Sequence, residues 1–453
     1  MPIHLVDNSV PRPPAVRVKR PSISLDNIFN VSIRTRLKWL LIFSIPVLVA
    51  FCSHNLPWIS LAFATVAGFL ANEVIPDFGR LLAHAGRVGK DFHKMQSPII
   101  PESLGIAVGT VYLLVMFMFI PIPFMPWLLH KPASLFPFEQ LGNYTAALLS
   151  ITCMLFLGFA DDILNLKWRH KILIPALSSL PLLMIYSVTT GRTEVVVPLP
   201  LYSLLGPTVD LGIFYYLYMS MLAIFCTHSI NILAGVNGVE VGQSVIIAIS
   251  VAAHNILALT RENESLVEHY FSLTLILPFL AVSMALLHHN WWPASVFVGD
   301  TYCYFAGMTF AVVGILGHFG KTLLLFFLPQ IFNFFYSTPQ LFGLVPCPRH
   351  RLPTFNHTTG LLEPSKVTFF LNGRNRALVR WLVRLRLLRV YQQTKEEITV
   401  NNFTILNLLL VLFGPLREDY LAALLMKTQT LCSILAFIVR HYLANYIFPK
   451  TLR

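Results

Sequence analysis

The segment Ala146–Lys171, AALLSITCMLFLGFADDILNLKWRHK, decides the class of fold, because a long apolar run in it ends in two adjacent carboxylates. Asp161 and Asp162 follow the apolar residues directly, and basic residues and a tryptophan come soon after. Ionised groups next to hydrocarbon are costly and are usually functional. Two neighbouring carboxylates also attract a hard divalent cation. The competing interpretation is that this pair only ends a membrane helix at the lipid headgroups.

The composition of the whole chain indicates a polytopic membrane protein. Of its 453 residues, 55% are hydrophobic and 12% are charged, whereas soluble proteins carry about 25% charged residues. The formal net charge is +12, but the basic residues lie in loops next to apolar runs. Anionic headgroups explain this pattern better than a nucleic-acid partner does. The six cysteines are scattered, without the spacing of a zinc site or a disulfide framework.

Apolar runs along the chain predict an all-α bundle of membrane-spanning helices, since a span needs about 20 apolar residues. A further half-length run, Ile405–Phe413, indicates an interfacial or re-entrant segment. The predicted spans are Trp39–Cys52, Trp58–Ile75, Ile106–Phe124, Ala146–Ala160, Ile172–Val188, Ile213–Thr227, Ser244–Leu259, Tyr270–Leu287, Tyr302–Leu316, Leu323–Val345 and Leu421–Val439.

The distribution of Lys and Arg predicts the orientation of these spans. With residues 1–38 in the cytosol, 24 of the 33 basic residues fall on the cytosolic side and seven on the other. The predicted domains are a disordered basic tail (1–38), a catalytic bundle (39–345), a cytosolic loop domain (346–404) and a C-terminal part (405–453) that ends in the lumen. The polar motifs all fall on the cytosolic face. Thr193–Pro200 on the opposite face predicts a short hairpin.

Two further motifs on the cytosolic face offer oxygen ligands. The segment from Asn231 to Gly242 combines glycines, which allow a ligand to approach the backbone closely, with asparagines, whose carbonyl oxygens can bind a cation. Asp300 begins a span with no basic neighbour in sequence. Together with Asp161 and Asp162 it makes a Mg²⁺ site plausible. A glycine-rich turn and a helix N-cap are the structural alternatives.

The remaining motifs are basic or flank a span. Pro346–Pro353 presents two arginines and a histidine on a proline-stiffened loop, which suits phosphate or sugar oxygens. Glu102 stands at the cytosolic end of a span, not far after Asp91. Arg374–Arg389 predicts a basic amphipathic helix on anionic headgroups. The combination suits a Mg²⁺-bound diphosphate and an acceptor in the bilayer, whereas an anion transporter would place charges near mid-span.

Four motifs in this order resemble the polyprenyl-phosphate N-acetylhexosamine-1-phosphate transferases. They are Gly158–Asp162, Asn231–Gly238, Phe297–Thr301 and Pro348–Arg351. The resemblance extends from about residue 57 to the C-terminus. It implies ten family spans, with Trp39–Cys52 as an extra one, and a small cytosolic α/β region between the last two spans.

The resemblance implies transfer of N-acetylglucosamine-1-phosphate from UDP-N-acetylglucosamine to dolichyl phosphate, with release of UMP. This reaction begins lipid-linked oligosaccharide synthesis for protein N-glycosylation, at the cytosolic face of the endoplasmic reticulum membrane. Members that act on undecaprenyl phosphate are the alternative within the family. A nucleotide-sugar or anion transporter is the alternative outside it. Partners are then the two substrates and membrane lipids; the oligomeric state is not fixed, and a homodimer is one arrangement that the sequence allows.

The resemblance also implies roles for single residues. Asn231 and Asp300 would hold Mg²⁺, and Asp161, supported by Asp162, would act as base or position the lipid phosphate. The implied substrate-binding residues are Lys171 and Arg349 for the phosphates, Phe297 and Asn237 for uracil, Trp168, His350 and Arg351 for the sugar, and Asp91, Phe92, Glu102 and Asn165 elsewhere. One departure is that the family's Asp-Leu-Asn-Lys turn is Asp91–Lys94, Asp-Phe-His-Lys, in this chain.

Overall fold

The computed structural model describes residues 44, 56–130, 136–164, 166–260, 266–348, 351–394 and 396–448. Residues 46–453 form one compact unit, and the fold described below is that unit. The predicted tail 1–38 lies outside the described residues, as does the predicted extra span Trp39–Cys52 apart from Ser44.

Nine helices within these ranges are long and apolar enough to cross a membrane, which confirms the predicted all-α polytopic class. The second of these spans joins two consecutive helices, and most spans extend beyond the apolar runs seen in the sequence. The first eight are α1 Leu56–His84, α2 Gly105–Phe119 with α3 Pro121–His130, α4 Phe138–Leu164, α5 Trp168–Thr189, α6 Ile213–Ile232, α7 Val239–Leu259, α8 Leu266–Asn290 and α9 Gly299–Leu316.

Helix α9 lies at the centre of the bundle. It packs against α2, α4, α6 and α8, and 89% of its most apolar window is buried. Small residues allow this close packing, as is common between membrane helices. A Cβ atom on Gly307 would lie 2.3 Å from the Cα of Thr227 in α6, and one on Gly158 of α4 would lie 2.9 Å from the Cα of Thr301. The helices that carry the predicted motifs therefore meet around α9.

The predicted span Leu323–Val345 is wrong as a single helix. The chain forms two helices instead, α10 Gly320–Phe326 and α11 Leu328–Leu341, with a break at Phe327. Pro329 stands in the first turn of α11 and has no backbone N–H to continue the helix from α10.

The predicted cytosolic α/β region follows α11. A hairpin joins β5 Thr354–Asn356 to β6 Leu361–Glu363, and a three-stranded sheet has the order β7 Lys366–Phe370, β9 Glu397–Asn401, β8 Val390–Gln393. Helix α12, Gly373–Arg384, packs Val379 and Leu382 on this sheet.

The basic helix predicted over Arg374–Arg389 is therefore too long. It ends at Arg384, because Arg386 takes a left-handed conformation (φ 60°) and Leu388 then turns into the core beneath the sheet.

The described C-terminal part contains two longer helices and a final short one, Ala444–Ile447. Residues 405–413, predicted as interfacial or re-entrant, form a short helix α13, Ile405–Phe413, which packs against α14, Glu418–Ile438. Helix α14 is the ninth span and continues through a π turn to Leu443. Two hairpins complete the fold, β1 Val88–Lys90 with β2 Ile99–Pro101, and β3 Glu194–Val196 with β4 Thr208–Asp210. The second hairpin confirms the strand predicted in Thr193–Pro200.

Candidate active site

The candidate site lies where the ends of several spans meet at one face of the bundle. The end of α4 provides the carboxylates of Asp161 and Asp162, and α5 begins nearby and provides Lys171. The first turn of α9 provides Asp300. Each of these residues lies at a helix end rather than in the middle of a span, so substrate could reach them from the aqueous side while the acceptor stays in the lipid.

Lys171 links two of the predicted carboxylates. Its Nζ lies 2.8 Å from Oδ2 of Asp161 and 2.8 Å from Oδ2 of Asp300. Asp161 is fully buried at its side chain, whereas the Asp300 side chain is 31% exposed. The hydroxyl of Tyr304 and the backbone N–H of Leu166 also donate to Asp161. Asp161 is thus held firmly from three directions, and Asp300 keeps an accessible edge.

Asp162 fastens α4 to the start of α9. Its carboxylate accepts hydrogen bonds from the backbone N–H groups of Asp300, at 2.8 Å, and Thr301, at 3.3 Å, and from the Thr301 hydroxyl. These are the unpaired N–H groups of a helix N-terminus, which a carboxylate caps well. Asp162 therefore positions the start of α9 and with it Asp300, whereas the resemblance had implied that it supports Asp161.

This contact depends on Gly299, which has a φ of +73°. An added Cβ would lie 2.3 Å from Oδ2 of Asp162 and 2.8 Å from the Cα of Ser103. We expect Gly299→Ala to lower both thermal stability and activity, because it combines about 1–2 kcal/mol of backbone strain with displacement of Asp162. The matched control is Gly360→Ala, where φ is +70° and nothing lies within 4 Å. Equal effects of both substitutions on melting temperature and turnover would contradict this account.

The β1–β2 hairpin brings a second group of predicted residues to the same place. Phe297 donates its backbone N–H to the carbonyl of Pro101, and its ring lies so close to Gly89 that an added Cβ would be 2.8 Å away. Burial raises the pKa of the Glu102 carboxyl, and the nearby Asp300 raises it further, while Arg87 lowers it. Arg87 also reaches the carbonyl of Asp162 at 3.4 Å. Glu102 and Phe297 therefore border the carboxylate cluster.

Asn231 lies in the last turn of α6 and is half-buried. Thr227, one turn earlier, faces Gly307 of α9, whereas Leu222, earlier in α6, lies against Gly320 just after α9. The two helices therefore run in opposite directions, and Asn231 lies towards the Asp300 end of α9. An amide oxygen and a partly exposed carboxylate are hard donors of the kind that Mg²⁺ takes together with substrate phosphates. The donor set of Asn231 and Asp300 therefore fits the predicted ion.

Asp91 and Asn237, both predicted to bind substrate, belong to a buried ionic cluster next to the hairpin. The Asn237 amide donates to Oδ2 of Asp91 at 2.9 Å, and its backbone N–H donates to Oε1 of Glu418 at 2.9 Å. Lys94 pairs with both Asp91 and Glu418.

The carboxylates of Asp91 and Glu418, together with His93, have the spacing of a metal site. The Lys94 ammonium lies among these carboxylates, and the cluster connects the loop of the β1–β2 hairpin to Asn237 and to Glu418 of α14. Phe92 differs from its neighbours because 68% of it is exposed.

Hydrogen bonds to the main chain of Arg351 hold this residue in place, and its guanidinium can still donate to a ligand. Its carbonyl accepts hydrogen bonds from Asn407 at 2.8 Å and from Ser365 at 3.2 Å. The buried Nη1 atom has no hydrogen-bond partner among the described residues, and burial lowers the pKa of the guanidinium. The next residue, Leu352, packs against Gly235 in the glycine-rich loop. Asn165, Arg349 and His350, and the side chain of Trp168, lie outside the described residues.

Several residues of the site were not predicted from the sequence. Tyr304 donates a hydrogen bond to Asp161, and Thr301 donates one to Asp162. Glu418 binds the backbone N–H of Asn237 and pairs with Lys94, so it connects two loops to the last span. The available signal for Glu418 was an acidic residue directly before an apolar run, because charges next to a membrane span are usually paired or functional.

Comparison with known proteins identifies the family of the chain. A sequence model described as glycosyl transferase family 4 matches residues 144–318. The UDP-N-acetylglucosamine–dolichyl-phosphate N-acetylglucosaminephosphotransferase of Saccharomyces cerevisiae is 45% identical, over 84% of this chain and 91% of the relative. The enzyme of the same name from Dictyostelium discoideum is 45% identical, over 86% and 90%.

A bacterial relative is more distant. The phospho-N-acetylmuramoyl-pentapeptide-transferase of Leptospira biflexa is 29% identical, over 43% of this chain and 58% of the relative. The matches at 45% identity each extend over more than four fifths of this chain. The chain therefore belongs to the family of UDP-N-acetylglucosamine–dolichyl-phosphate N-acetylglucosaminephosphotransferases.

Proposed function

We propose that this chain transfers N-acetylglucosamine-1-phosphate from UDP-N-acetylglucosamine to dolichyl phosphate and releases UMP. The observation that carries the proposal is Lys171, whose ammonium lies 2.8 Å from both Asp161 and Asp300 at one face of the bundle. The ammonium, together with a divalent cation on the accessible Asp300, would offset the charge of these carboxylates and of a diphosphate. The names of the relatives at 45% identity support the identity of both substrates.

In the proposed reaction an oxygen of dolichyl phosphate attacks the β-phosphorus of the sugar nucleotide in line with the leaving UMP. A new phosphorus–oxygen bond forms to the lipid phosphate, and the bond between the β-phosphorus and the bridging oxygen breaks. Lys171 neutralises phosphate charge, and Asp161, held by Tyr304, positions or deprotonates the lipid phosphate. Mg²⁺ on Asn231 and Asp300 would neutralise the diphosphate further.

Other parts of the proposal concern the site's surroundings. We place the enzyme in the endoplasmic reticulum membrane, with this face in the cytosol. The support for the orientation is that the predicted topology puts 24 of the 33 Lys and Arg residues on this side. Phe297 and Asn237 would hold the uracil ring, and Asp91, Phe92, Glu102 and Asn165 would border the nucleotide. Trp168, His350 and Arg351 would line the sugar pocket, and Arg349 would assist Lys171.

Arg351→Ala tests the sugar pocket. The buried, unpartnered Nη1 can donate a charged hydrogen bond to the N-acetyl sugar, and such bonds are worth about 1.5–3 kcal/mol. We expect KM for UDP-N-acetylglucosamine to rise about tenfold to a hundredfold, and preference over UDP-glucose to fall. Arg376→Ala is the control, since this exposed arginine contacts only the carbonyl of Leu371 among the described residues. An unchanged KM in Arg351→Ala would contradict the assignment.

Labelled UDP-N-acetylglucosamine separates this function from transport. Sealed vesicles that contain the protein and dolichyl phosphate are incubated with the sugar nucleotide on the side of the carboxylate cluster. We expect label in the lipid extract together with UMP in the aqueous phase. Label that enters the vesicle lumen as intact UDP-N-acetylglucosamine, without label in lipid, would favour a transporter and overturn the proposal.

A further inference from the structure

Three glutamines from three different helices form a buried amide cluster beneath the candidate site. Gln243 comes from α7, Gln330 from α11 and Gln429 from α14, and at most 1% of each is exposed. The Gln330 amide nitrogen lies 2.8 Å from the Oε1 atoms of both Gln243 and Gln429. Polar side chains are costly inside a membrane bundle unless they are paired. This cluster therefore calls for an explanation beyond packing.

Backbone carbonyls fix the orientation of two of the three amides, and these two fix the third. Gln243 donates through Nε2 to the carbonyls of Leu233 at 2.8 Å and Ile230 at 3.3 Å. Gln429 donates to the carbonyl of Phe326 at 2.8 Å, where α10 ends. A carbonyl only accepts hydrogen bonds, so both glutamines must turn Oε1 towards Gln330, which must donate to both.

The two carbonyls held by Gln243 flank Asn231, the proposed cation ligand. Ile230 lies in the last turn of α6 and Leu233 follows the helix directly, so these carbonyls have no partner within the helix. The hydrogen bonds among the described residues do not involve the Asn231 side chain. The position of the Asn231 side chain therefore depends on the main chain around it. Gln243 holds that main chain through its hydrogen bonds to the carbonyls of Ile230 and Leu233.

We propose that Gln243, oriented by Gln330 and Gln429, is a positioning residue that sets Asn231 for a divalent cation. The inference rests on the proposed function, which assigns Asn231 and Asp300 to that cation. The cluster also joins the end of α6 to the break between α10 and α11 and to the last span. Local geometry around Asn231 is thus tied to the packing of distant parts of the chain.

Mn²⁺ binding by the purified full-length protein with UDP present tests this inference, with free Mn²⁺ measured by electron paramagnetic resonance. We expect Gln243→Leu to raise the Kd for Mn²⁺ about tenfold, since this substitution keeps a similar side-chain volume but removes the two hydrogen bonds to the carbonyls of Ile230 and Leu233. The Kd describes Mn²⁺ binding by the folded molecules, whatever fraction of the sample is folded. If Gln243 contributed only to the stability of the fold, the substitution would not change the Kd.

The control is Asn255→Leu, which removes another buried amide from α7, one that contacts Ser272 and His269. It should lower thermal stability and leave the Kd unchanged. A wild-type Kd in Gln243→Leu overturns the inference. If that variant does not fold, Gln330→Met decides, with a raised Kd supporting the inference and a wild-type Kd overturning it. A wild-type Kd in Asn231→Ala would instead refute the proposed cation site itself.

Discussion

Replacing Asp300 by Asn is expected to lower the rate of UMP release about a thousandfold, while the protein remains folded. The substitution removes a charged oxygen donor from the proposed cation site, and such electrostatic contributions are worth several kcal/mol in the transition state. The fold should survive because the backbone N–H of residue 300, not its side chain, binds Asp162 at 2.8 Å. Asn231→Ala should have a similar effect through the second proposed ligand.

The measurement is Mg²⁺-dependent UMP release by detergent-solubilised protein, together with its melting temperature. Asp77→Asn is the matched control, since Asp77 is an exposed carboxylate of α1 that pairs with Arg80. Wild-type turnover in Asp300→Asn or in Asn231→Ala would contradict the cation assignment. A large fall in melting temperature would show that these residues hold the fold rather than the substrate.

Replacing Lys171 by Met is expected to reduce both stability and activity. The side chain of Asp161 is fully buried and would lose the ammonium that lies 2.8 Å away. Breaking a buried ion pair in this way costs about 3–5 kcal/mol. Loss of the charge that receives the phosphates should reduce turnover about a hundredfold or more, since each 1.36 kcal/mol corresponds to a tenfold change in rate.

A double variant separates these two effects. Adding Asp161→Asn to Lys171→Met removes the uncompensated charge, so the melting temperature should recover while activity remains lost. Lys167→Met provides the control, because Lys167 is exposed and lies just before α5. If Lys171→Met releases UMP at the wild-type rate, the role given to this lysine in phosphate binding is wrong.

The sequence predicted much of the bundle because a segment that crosses a membrane must be apolar and must pair its backbone hydrogen-bonding groups within a helix. The lengths of the apolar runs were enough to predict most spans. The distribution of Lys and Arg between the loops then predicted that Asp161, Asp162 and Asp300 lie at the same face of the membrane. The contacts of Lys171 with two of these carboxylates confirm that they lie together. The site residues Asn165, Arg349 and His350 lie outside the described residues and stay predictions.

Features that depend on distant residues were not predicted. Hydropathy does not register a break in the backbone, so α10 and α11 were taken as one span although Pro329 was a visible signal. The helix predicted to Arg389 ends earlier because Leu388 is needed in the core of the sheet. The glutamine cluster joins positions that lie far apart in sequence, and only the packing of α7, α11 and α14 brings them together.

Double-labelled UDP-N-acetylglucosamine, with ³²P at the β-phosphate and ³H in the sugar, tests the central claim most directly. The purified protein is incubated with this substrate, dolichyl phosphate and Mg²⁺, and the lipid extract is counted. Transfer of the sugar-1-phosphate predicts both labels in lipid at the ratio of the substrate, with unlabelled UMP released in equal amount. Tritium in lipid without ³²P, or release of UDP, would show transfer of the sugar alone and contradict the account.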